Sequence, residues 1–253
     1  MNPEQDKDTV PGAAVAAVIC AAGGSKRMGG AKKEYRPLPG VEGLTVLGAA
    51  VSSFAAVPEI SVIVITVPED TETGEAAARK ALPDKLLSGE TGTAIHFVSG
   101  GKTRSASVYN ALKALSAFSS GYVLIHDGAR PWVSPFLIRR VIAGVKKYRA
   151  VVPLVPVTET PKETDAPLAN ACGGDPVCIK QHLRRALVGA AQTPQAFAFP
   201  EILSAHEKAA QENLAGFEYT DDAEIWASFC GPVMAIPGEP ENRKITFPED
   251  LPC

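Results

Sequence analysis

Four cations and a cluster of glycines stand together near the start of the chain. Residues 21–33 read AAGGSKRMGGAKK, and their cations are Lys26, Arg27, Lys32 and Lys33. Residues with almost no side chain let a ligand approach the backbone closely. Exposed N–H groups beside fixed positive charge suit a chain of phosphates. The pattern predicts a polyphosphate-binding loop, with a solvated surface loop as the alternative.

Two common nucleotide-binding motifs do not fit this chain. A Walker A loop requires Lys-Ser or Lys-Thr after its last glycine, which the glycine-rich segment lacks. Gly101-Lys102-Thr103 has that ending, but His96 stands where the first glycine of the motif belongs. The dinucleotide fingerprint Gly-x-Gly-x-x-Gly also fails, because Ser25 occupies its second glycine position. Four cations suit a triphosphate better than the pyrophosphate of a dinucleotide.

The predicted elements would bring the chemically interesting residues together. Apolar runs predict strands at 15–20, 61–67, 95–98 and 122–126. Helices are predicted over 44–57, over 70–87 with a break near Pro83, over 104–118, and after Ser134 as N-cap. Strand–helix alternation indicates an α/β protein with a Rossmann-like, mostly parallel sheet covered by helices on both faces.

Ligands of such sheets bind beyond the carboxyl ends of the strands. The glycine-rich loop, Gly100-Gly101 and Asp127 each follow a predicted strand. We therefore expect all three to meet in one crevice.

Composition narrows the class of protein. The 253 residues are 45 % hydrophobic and carry a net charge of −3, so neither nucleic acid nor an anionic membrane is an expected partner. No apolar run is long enough to span a bilayer. Residues 1–12 are polar and partly acidic, and we expect a disordered tail rather than a targeting segment. A cytoplasmic protein is predicted.

The five cysteines show no metal-binding spacing. Cys172 and Cys178 could pair or bind a metal. Reduced thiols in a cytoplasmic loop are the simpler interpretation.

Seven segments, in order along the chain, carry a family resemblance. They are AAGGSKRMGGAKKEY, GGKTRSASV, LIHDGARP, PVTETPK, AQTPQAF, YTDDAE and NRKITFPEDL. Each is short, but together they span nearly the whole chain. The ordered set resembles the 2-C-methyl-D-erythritol 4-phosphate cytidylyltransferases, a family of the nucleotide-diphospho-sugar transferase type.

The resemblance implies transfer of CMP from CTP to 2-C-methyl-D-erythritol 4-phosphate, with release of pyrophosphate. This reaction belongs to the non-mevalonate pathway of isoprenoid precursor biosynthesis, and Mg²⁺ or another divalent cation is the implied cofactor. A phosphate monoester is largely dianionic near neutral pH, its second pKa being ~6, so it needs no general base. The protein must align two anions and stabilise the charge that develops on the α-phosphate and on pyrophosphate.

On the nucleotide side, the resemblance implies that Arg27 and Lys33 are catalytic cations on the phosphates of CTP. Lys33 is expected on the α-phosphate, with Lys26 and Lys32 as electrostatic support. In the family, proline often precedes the catalytic lysine, so Lys32 departs from the pattern, as does Ser25 from glycine. The implied nucleotide-binding set is Ala21, Ala22, Gly23, Gly24, Arg27, Lys33, Gly101, Arg104 and Ser107. Arg104 could equally be a surface residue at the start of its helix.

On the acceptor side, Asp127 and Arg130 are expected to contact the hydroxyl groups of methylerythritol. Asp127 is also the candidate Mg²⁺ ligand, and Lys244 is expected to be a third catalytic cation. The implied acceptor-binding set is Asp127, Arg130, Thr160, Arg185, Thr220 and Lys244.

Residues 156–192 have no sustained period, and a long irregular stretch inside a compact domain usually signals a functional excursion. The resemblance implies a β-arm over about residues 155–190, built from segments 155–164 and 179–188, that hooks around a second subunit. Thr160 and Arg185 would then grip the acceptor phosphate in the neighbour's site. We expect a homodimer whose subunits each form one domain over residues 13–253. An ordinary surface insertion is the alternative for the arm.

Three other functions remain open. A cytidylyltransferase for another polyol phosphate, such as ribitol 5-phosphate, would share the loop and differ in the acceptor pocket. An NAD-dependent oxidoreductase is disfavoured by the missing fingerprint. A non-catalytic homologue is disfavoured because both catalytic cations of the loop are present.

Overall fold

The computed structural model describes residues 14–24, 32–69, 71–168, 176–212 and 219–251. Within these residues, one sheet has eight strands and a second, separate sheet has two. The larger sheet contains β1 (Ala14–Cys20), β2 (Ile60–Val67), β3 (Ala94–Ser99), β4 (Ser120–Asp127), β5 (Ala150–Pro156), β8 (Gly189–Ala191), β9 (Gln195–Ala198) and β10 (Met234–Pro237); the smaller contains β6 (Lys162–Thr164) and β7 (Ile179–His182).

The larger sheet is mostly parallel, as predicted. Its order is β10-β5-β9-β4-β1-β2-β3, with β8 paired to β5. The four strands from β4 to β3 run parallel, β9 lies antiparallel between β4 and β5, and β10 runs parallel to β5. Cys20 at the end of β1 is level with Thr66 of β2 and with Asp127 of β4. Three strand ends therefore meet at one edge.

The central position of β1 explains its continuous apolar sequence. Residues 15–19 are all buried, although successive side chains of a strand point to opposite faces. Both faces of the sheet are therefore covered, which is the usual environment of a parallel sheet.

Seven helices accompany the sheet in the described part of the chain. They are α1 (Val46–Ala55), α2 (Thr71–Lys80), α3 (Asp84–Leu87), α4 (Arg104–Leu115), α5 (Pro135–Tyr148), α6 (Glu201–Glu212) and α7 (Asp222–Phe229). Pro83 separates α2 from α3, as predicted, and Ser134 caps α5 by accepting from Leu137 N–H. None of the described helices is long and apolar enough to cross a lipid bilayer.

The sequence pattern gives no elements for residues 150–155 or beyond residue 192. The structure places three strands, β5, β9 and β10, and two helices, α6 and α7, in these two regions, and a fourth strand, β8, near the end of the irregular stretch 156–192. Three of these strands have only three or four residues. Short strands of this kind are held by partners distant in sequence, as β9 is held by β4, and so they leave little periodic signal.

The two segments predicted to form the arm do pair with each other. Antiparallel β6 and β7 place Lys162 opposite His182, and Lys162 Nζ donates to His182 Nδ1 over 2.9 Å. Leu168 and Leu187 near this ladder are 79 % and 80 % exposed. Residues 169–175 of the predicted tip, including Cys172, and the predicted tail at 1–12 lie outside the described residues. Cys178 is a free, exposed thiol.

A buried hydrogen-bonded chain supports the end of β4. His126 is fully buried, with Nδ1 3.0 Å from Thr193 Oγ1 and Nε2 3.1 Å from the carbonyl oxygen of Arg130. A carbonyl oxygen only accepts, so Nε2 carries the hydrogen and Nδ1 accepts from the Thr193 hydroxyl. Thr193 Oγ1 in turn accepts from Asp127 N–H over 3.0 Å. The neutral imidazole thus fixes the backbone on both sides of Asp127.

Acid should destabilise the protein through His126. Burial lowers the pKa of His126 to about 4, whereas a histidine in an unfolded chain has a pKa of ~6.5. The unfolded chain therefore takes up the proton first, and the stability provided by neutral His126 is present above about pH 6.5 and lost as the pH falls towards 4. Between pH 7 and pH 4.5 we expect the free energy of unfolding to fall by about 2–3 kcal/mol through this group alone.

Urea unfolding of wild type and His126→Gln at the two pH values measures this contribution. The difference between the pH values should shrink by that amount in His126→Gln. It should not change in His96→Gln, which alters an exposed histidine. An unaltered pH dependence in His126→Gln would contradict the assignment of a buried neutral imidazole.

Candidate active site

A cavity of about 750 Å³ opens where β1, β2 and β4 end. Its floor contains Cys20, Thr66 and Asp127, the level residues of these three strands. Its walls come from segments 22–24, 33–34, 101–107 and 244–246, together with Ala129. The carboxyl ends of the parallel strands thus form a crevice, as the alternation of elements predicts.

Two glycines allow the turn before α4 to pack closely against neighbouring backbone. A Cβ added to Gly100 would lie 2.3 Å from Ala22 Cβ, and one added to Gly101 would lie 2.6 Å from Ala106 Cβ. Ser107 Oγ accepts from Gly101 N–H over 3.0 Å and donates to Thr103 O over 2.9 Å. Ser107 therefore fixes the shape of this turn in addition to lining the cavity.

Two lysines from opposite ends of the sequence meet at the cavity. Lys33 Nζ donates to the carbonyl oxygen of Ile245 over 2.7 Å, and Lys244 precedes that residue. Ile245 N–H donates to Ala129 O over 2.9 Å, which attaches the same segment to the turn after β4. The backbone of residues 244–246 is thus held from both sides of the cavity.

Asp127 is the centre of a charged cluster. Its Oδ2 lies 2.9 Å from Lys244 Nζ and 3.5 Å from Arg130 Nε, and its Oδ1 lies 3.4 Å from Arg104 Nε. Burial would raise the pKa of Asp127, but Lys244, Arg104 and Arg130 together hold it well below its usual range. The carboxylate is therefore ionised near neutral pH and can accept hydrogen bonds, and it is poorly suited to remove a proton.

Arg104 is anchored from behind by a second carboxylate. Its Nη1 forms a 2.8 Å ion pair with Oδ2 of Asp222, which is fully buried. His206 Nε2 lies 3.3 Å from Asp222 Oδ1. Burial would raise the pKa of Asp222, but Arg104 and His206 lower it. Arg104 is thus a bridge between two carboxylates, and the interpretation of it as a simple surface residue is wrong.

Two glutamines of the AQTPQAF segment form hydrogen bonds to the segments that carry Lys244 and Asp222. Gln192 Nε2 donates to Glu239 O over 2.7 Å and to Asn242 O over 3.2 Å, just before Lys244. Gln195 Nε2 donates to Asp221 Oδ2 over 2.8 Å, next to Asp222. Neither glutamine lines the cavity, so both act through the segments they hold.

The structure brings most of the predicted residues together. Those on the cavity wall are Ala22, Gly23, Gly24, Lys33, Gly101, Arg104, Ser107, Asp127 and Lys244. Ala21 is buried below the wall, where its N–H donates to Thr66. Arg130 lies behind Asp127 and donates to Asn242 O over 2.7 Å.

Some predicted residues do not reach the cavity of their own chain. Thr220 is exposed, and its hydroxyl donates to Glu224 Oε2 over 2.7 Å. Thr160 and Arg185 are exposed on the arm, where Arg185 Nη1 donates to Thr158 O over 2.8 Å. Lys26 and Arg27 lie outside the described residues.

Part of the cavity wall was not predicted from the sequence, including Cys20, Glu34, Thr66 and Lys102. Thr66 could have been found, because it lies at the end of a predicted strand whose neighbours also end at the crevice. Burial raises the pKa of the Cys20 thiol to about 12, so this cysteine is not a reactive thiolate. Asp222 and His206 were missed because nothing local in the sequence marks a buried contact between residues 16 positions apart.

The described side chains of the cavity do not form a metal-binding cluster. Among the described residues, no group of three or more His, Cys, Asp or Glu side chains could hold a metal ion. Three cations also compete for the oxygens of Asp127. A Mg²⁺ ion that takes most of its ligands from water and substrate phosphates needs only one or two protein carboxylates, and Asp127 is the predicted residue at the cavity that could supply one.

Comparisons with known proteins agree with this geometry. The family model described as 2-C-methyl-D-erythritol 4-phosphate cytidylyltransferase (IspD) matches residues 15–253. The structure of 4-diphosphocytidyl-2C-methyl-D-erythritol synthase from Anaerococcus prevotii is similar with a TM-score of 0.75 and 28 % identity, over 97 % of this chain and 96 % of that one. The 2-C-methyl-D-erythritol 4-phosphate cytidylyltransferase from Thermus thermophilus is similar with a TM-score of 0.67 and 31 % identity, over 94 % and 95 %.

Among curated proteins, a bifunctional enzyme IspD/IspF from Bradyrhizobium sp. is 40 % identical over 243 residues, which cover 93 % of this chain and 54 % of that protein. The chain thus spans about half the length of the curated relatives it matches. Because the family match runs from residue 15 to residue 253 and so includes every segment that forms the cavity, this chain belongs to the 2-C-methyl-D-erythritol 4-phosphate cytidylyltransferase family.

Proposed function

We propose that this chain transfers CMP from CTP to 2-C-methyl-D-erythritol 4-phosphate and releases pyrophosphate, as a step of non-mevalonate isoprenoid precursor biosynthesis. The observation that carries the proposal is the convergence of Lys33 and Lys244 on one cavity beside an ionised Asp127. This arrangement offers cations for phosphates and a carboxylate for hydroxyl groups. A nucleotide and a polyol phosphate require both.

The triphosphate of CTP would lie along the loop backbone at Ala22–Gly24, because these residues line the cavity and expose main-chain groups. Lys33 would neutralise the α-phosphate, and we retain Arg27 as the second phosphate cation of the loop. Gly101 and Ser107 would border the cytosine and ribose. A site of pyrimidine size with fixed hydrogen-bond partners discriminates against larger bases.

The acceptor would lie on the opposite side, between Asp127 and Lys244. Asp127 would accept hydrogen bonds from the methylerythritol hydroxyls, and Arg130 would hold Asp127 in place. In the chemical step, a phosphate oxygen of the acceptor attacks the α-phosphorus while the bond to the bridging oxygen breaks, and pyrophosphate leaves. Lys33 and Lys244 would stabilise the charge that develops in line. No proton has to be removed from the nucleophile.

Bound Mg²⁺ would neutralise phosphate charge and orient the triphosphate. Asp127 is the one residue of the described cavity that we propose as its protein ligand, and the remaining ligands would be water and phosphate oxygens. We also propose a cytoplasmic location, which the two water-soluble substrates permit.

Exposed apolar side chains support the proposal of a homodimer. Leu168, Ile179 and Leu187 on or near the arm are 79 %, 50 % and 80 % exposed. Large apolar side chains that stay exposed on one excursion of the chain favour a surface that another protein covers. We propose that a second copy of the chain covers it, and that Thr160 and Arg185 enter the partner's site, since neither reaches the cavity of its own chain.

Pyrophosphate release from CTP tests the function. We expect turnover with 2-C-methyl-D-erythritol 4-phosphate and far less with ribitol 5-phosphate; the reverse preference would favour the alternative acceptor. Lys33→Ala should lower turnover by ~10²–10³, because it removes a preorganised charge donor. The matched control, Lys85→Ala, removes an exposed lysine of α3 and should be fully active. Near-normal turnover in a folded Lys33→Ala variant would contradict the role of Lys33.

Asp127→Asn should raise KM for the acceptor far more than KM for CTP, about ten-fold or more, because the carboxylate is placed on the acceptor side. Steady-state kinetics with each substrate varied in turn measures this split. Asp84→Asn on the exposed surface of α3 is the control. A selective loss of CTP binding would contradict the acceptor role and leave Asp127 only the role of Mg²⁺ ligand on the nucleotide side.

Mixed dimers test whether the arm crosses between subunits. Two-fold symmetry makes the contact reciprocal, so Lys33→Ala and Arg185→Ala homodimers should both be nearly inactive. A mixed dimer has one site with both defects and one site with neither. Random pairing after joint refolding makes about half of the dimers mixed, so about 25 % of wild-type activity should return. Mixed dimers without any recovered activity would mean that Arg185 serves its own chain.

A further inference from the structure

Lys32 is bonded to the glycine-rich loop. Its Nζ donates to the carbonyl oxygen of Ala22 over 3.1 Å and to that of Gly23 over 2.6 Å. Ala22, Gly23 and Gly24 line the cavity, but Lys32 does not. The ammonium group therefore contacts the backbone of the loop without itself lining the cavity.

These two contacts determine where the neighbouring N–H groups point. A peptide bond is planar and trans, so its C=O and N–H point in opposite directions; neither bond here is among the cis bonds of the described chain. With the carbonyls of Ala22 and Gly23 turned towards Lys32, the N–H groups of Gly23 and Gly24 point away from it, and the two glycines that carry them line the cavity. Within the described residues, no hydrogen bond uses either of these N–H groups.

Little else in the described structure holds this backbone in place. A Cβ added at Gly23 or Gly24 would have no heavy atom within 4 Å, so neighbouring side chains do not confine the loop. Glycine also loses more conformational freedom on ordering than any other residue. One ammonium group with three donors can bind two successive carbonyls and so restrict two peptide units at once.

We propose that Lys32 is a positioning residue that orients the Gly23 and Gly24 amides towards a polyphosphate in the cavity. Two adjacent N–H groups that converge on one concave surface form an anion site. The lysine acts through the backbone and does not itself touch the phosphates. This inference deepens the proposed function, since the polyphosphate of that reaction is the triphosphate of CTP.

A direct contact between Lys32 and phosphate is the competing explanation, and three substitutions separate the two. Lys32→Arg keeps the charge and the donors. Lys32→Gln keeps donors for the carbonyls without the charge. Lys32→Met keeps an unbranched stem and removes both. Lys85→Met, on the exposed surface of α3, is the control for loss of one positive charge.

Calorimetric titration with CTP and, separately, with inorganic tripolyphosphate measures the effect, after thermal unfolding has shown that each variant is folded. We expect Lys32→Met to weaken binding of both ligands about ten-fold. Lys32→Gln should recover a clear part of that loss, Lys32→Arg most of it, and Lys85→Met should bind like wild type. In steady-state assays KM for CTP should rise in Lys32→Met while KM for the acceptor stays constant.

Two results would overturn the inference. Wild-type affinity in Lys32→Met would show that the carbonyl contacts do not matter for binding. Equal losses in Lys32→Gln and Lys32→Met would show that charge, rather than orientation of the peptides, is what Lys32 supplies. The proposed function is tested separately by the wild-type protein. Binding of tripolyphosphate without binding of CTP would refute CTP as the substrate but not the role of Lys32. Binding of neither ligand would refute both proposals.

Discussion

The site depends on one shared carboxylate. Asp127 contacts Lys244, Arg104 and Arg130, which come from three different parts of the chain. Without the carboxylate, the three cations would repel one another. The negative charge of Asp127 allows them to lie close together. Removing a partner from a buried charge cluster leaves an uncompensated charge, which is far more destabilising than an exposed ion pair is stabilising. The cluster therefore fixes the geometry of three segments at once.

The surrounding polar residues hold Asp127 in place. His126 and Thr193 bind the backbone on either side of it, and Asn242 Nδ2 donates to Thr193 O over 2.8 Å. This links the support of the carboxylate to the segment that carries Lys244. Buried polar networks are favourable only when their members find partners. This network restricts the backbone that carries Asp127, so the charged cluster is positioned before a ligand binds.

The parts of this arrangement that can be predicted from the sequence are those marked by a pattern of neighbouring residues. The apolar run of β1, the small residues after it and the acidic residue after β4 each predict their own position, because strand ends of a parallel sheet share one edge. Asp222, His206 and Gln192 could not be found in this way. Their roles come from contacts with residues distant in sequence, and a buried carboxylate looks like a surface one until its partner is known. Thr220 is the opposite case. The motif that contains it predicts a place in the acceptor pocket, but its side chain does not reach the cavity of this chain.

The bond between Lys33 and Ile245 joins residues 212 positions apart. The cavity wall therefore includes segments made early and late in synthesis, and a nascent chain that has emerged only as far as α5 lacks residues 244–246 and with them one side of the binding site. Contacts of such long range form late in folding because they close large loops. A ligand that bridges the two segments would bind only the finished form and stabilise it by mass action. Metabolite supply would in this way favour completed molecules over partially folded ones in the cell.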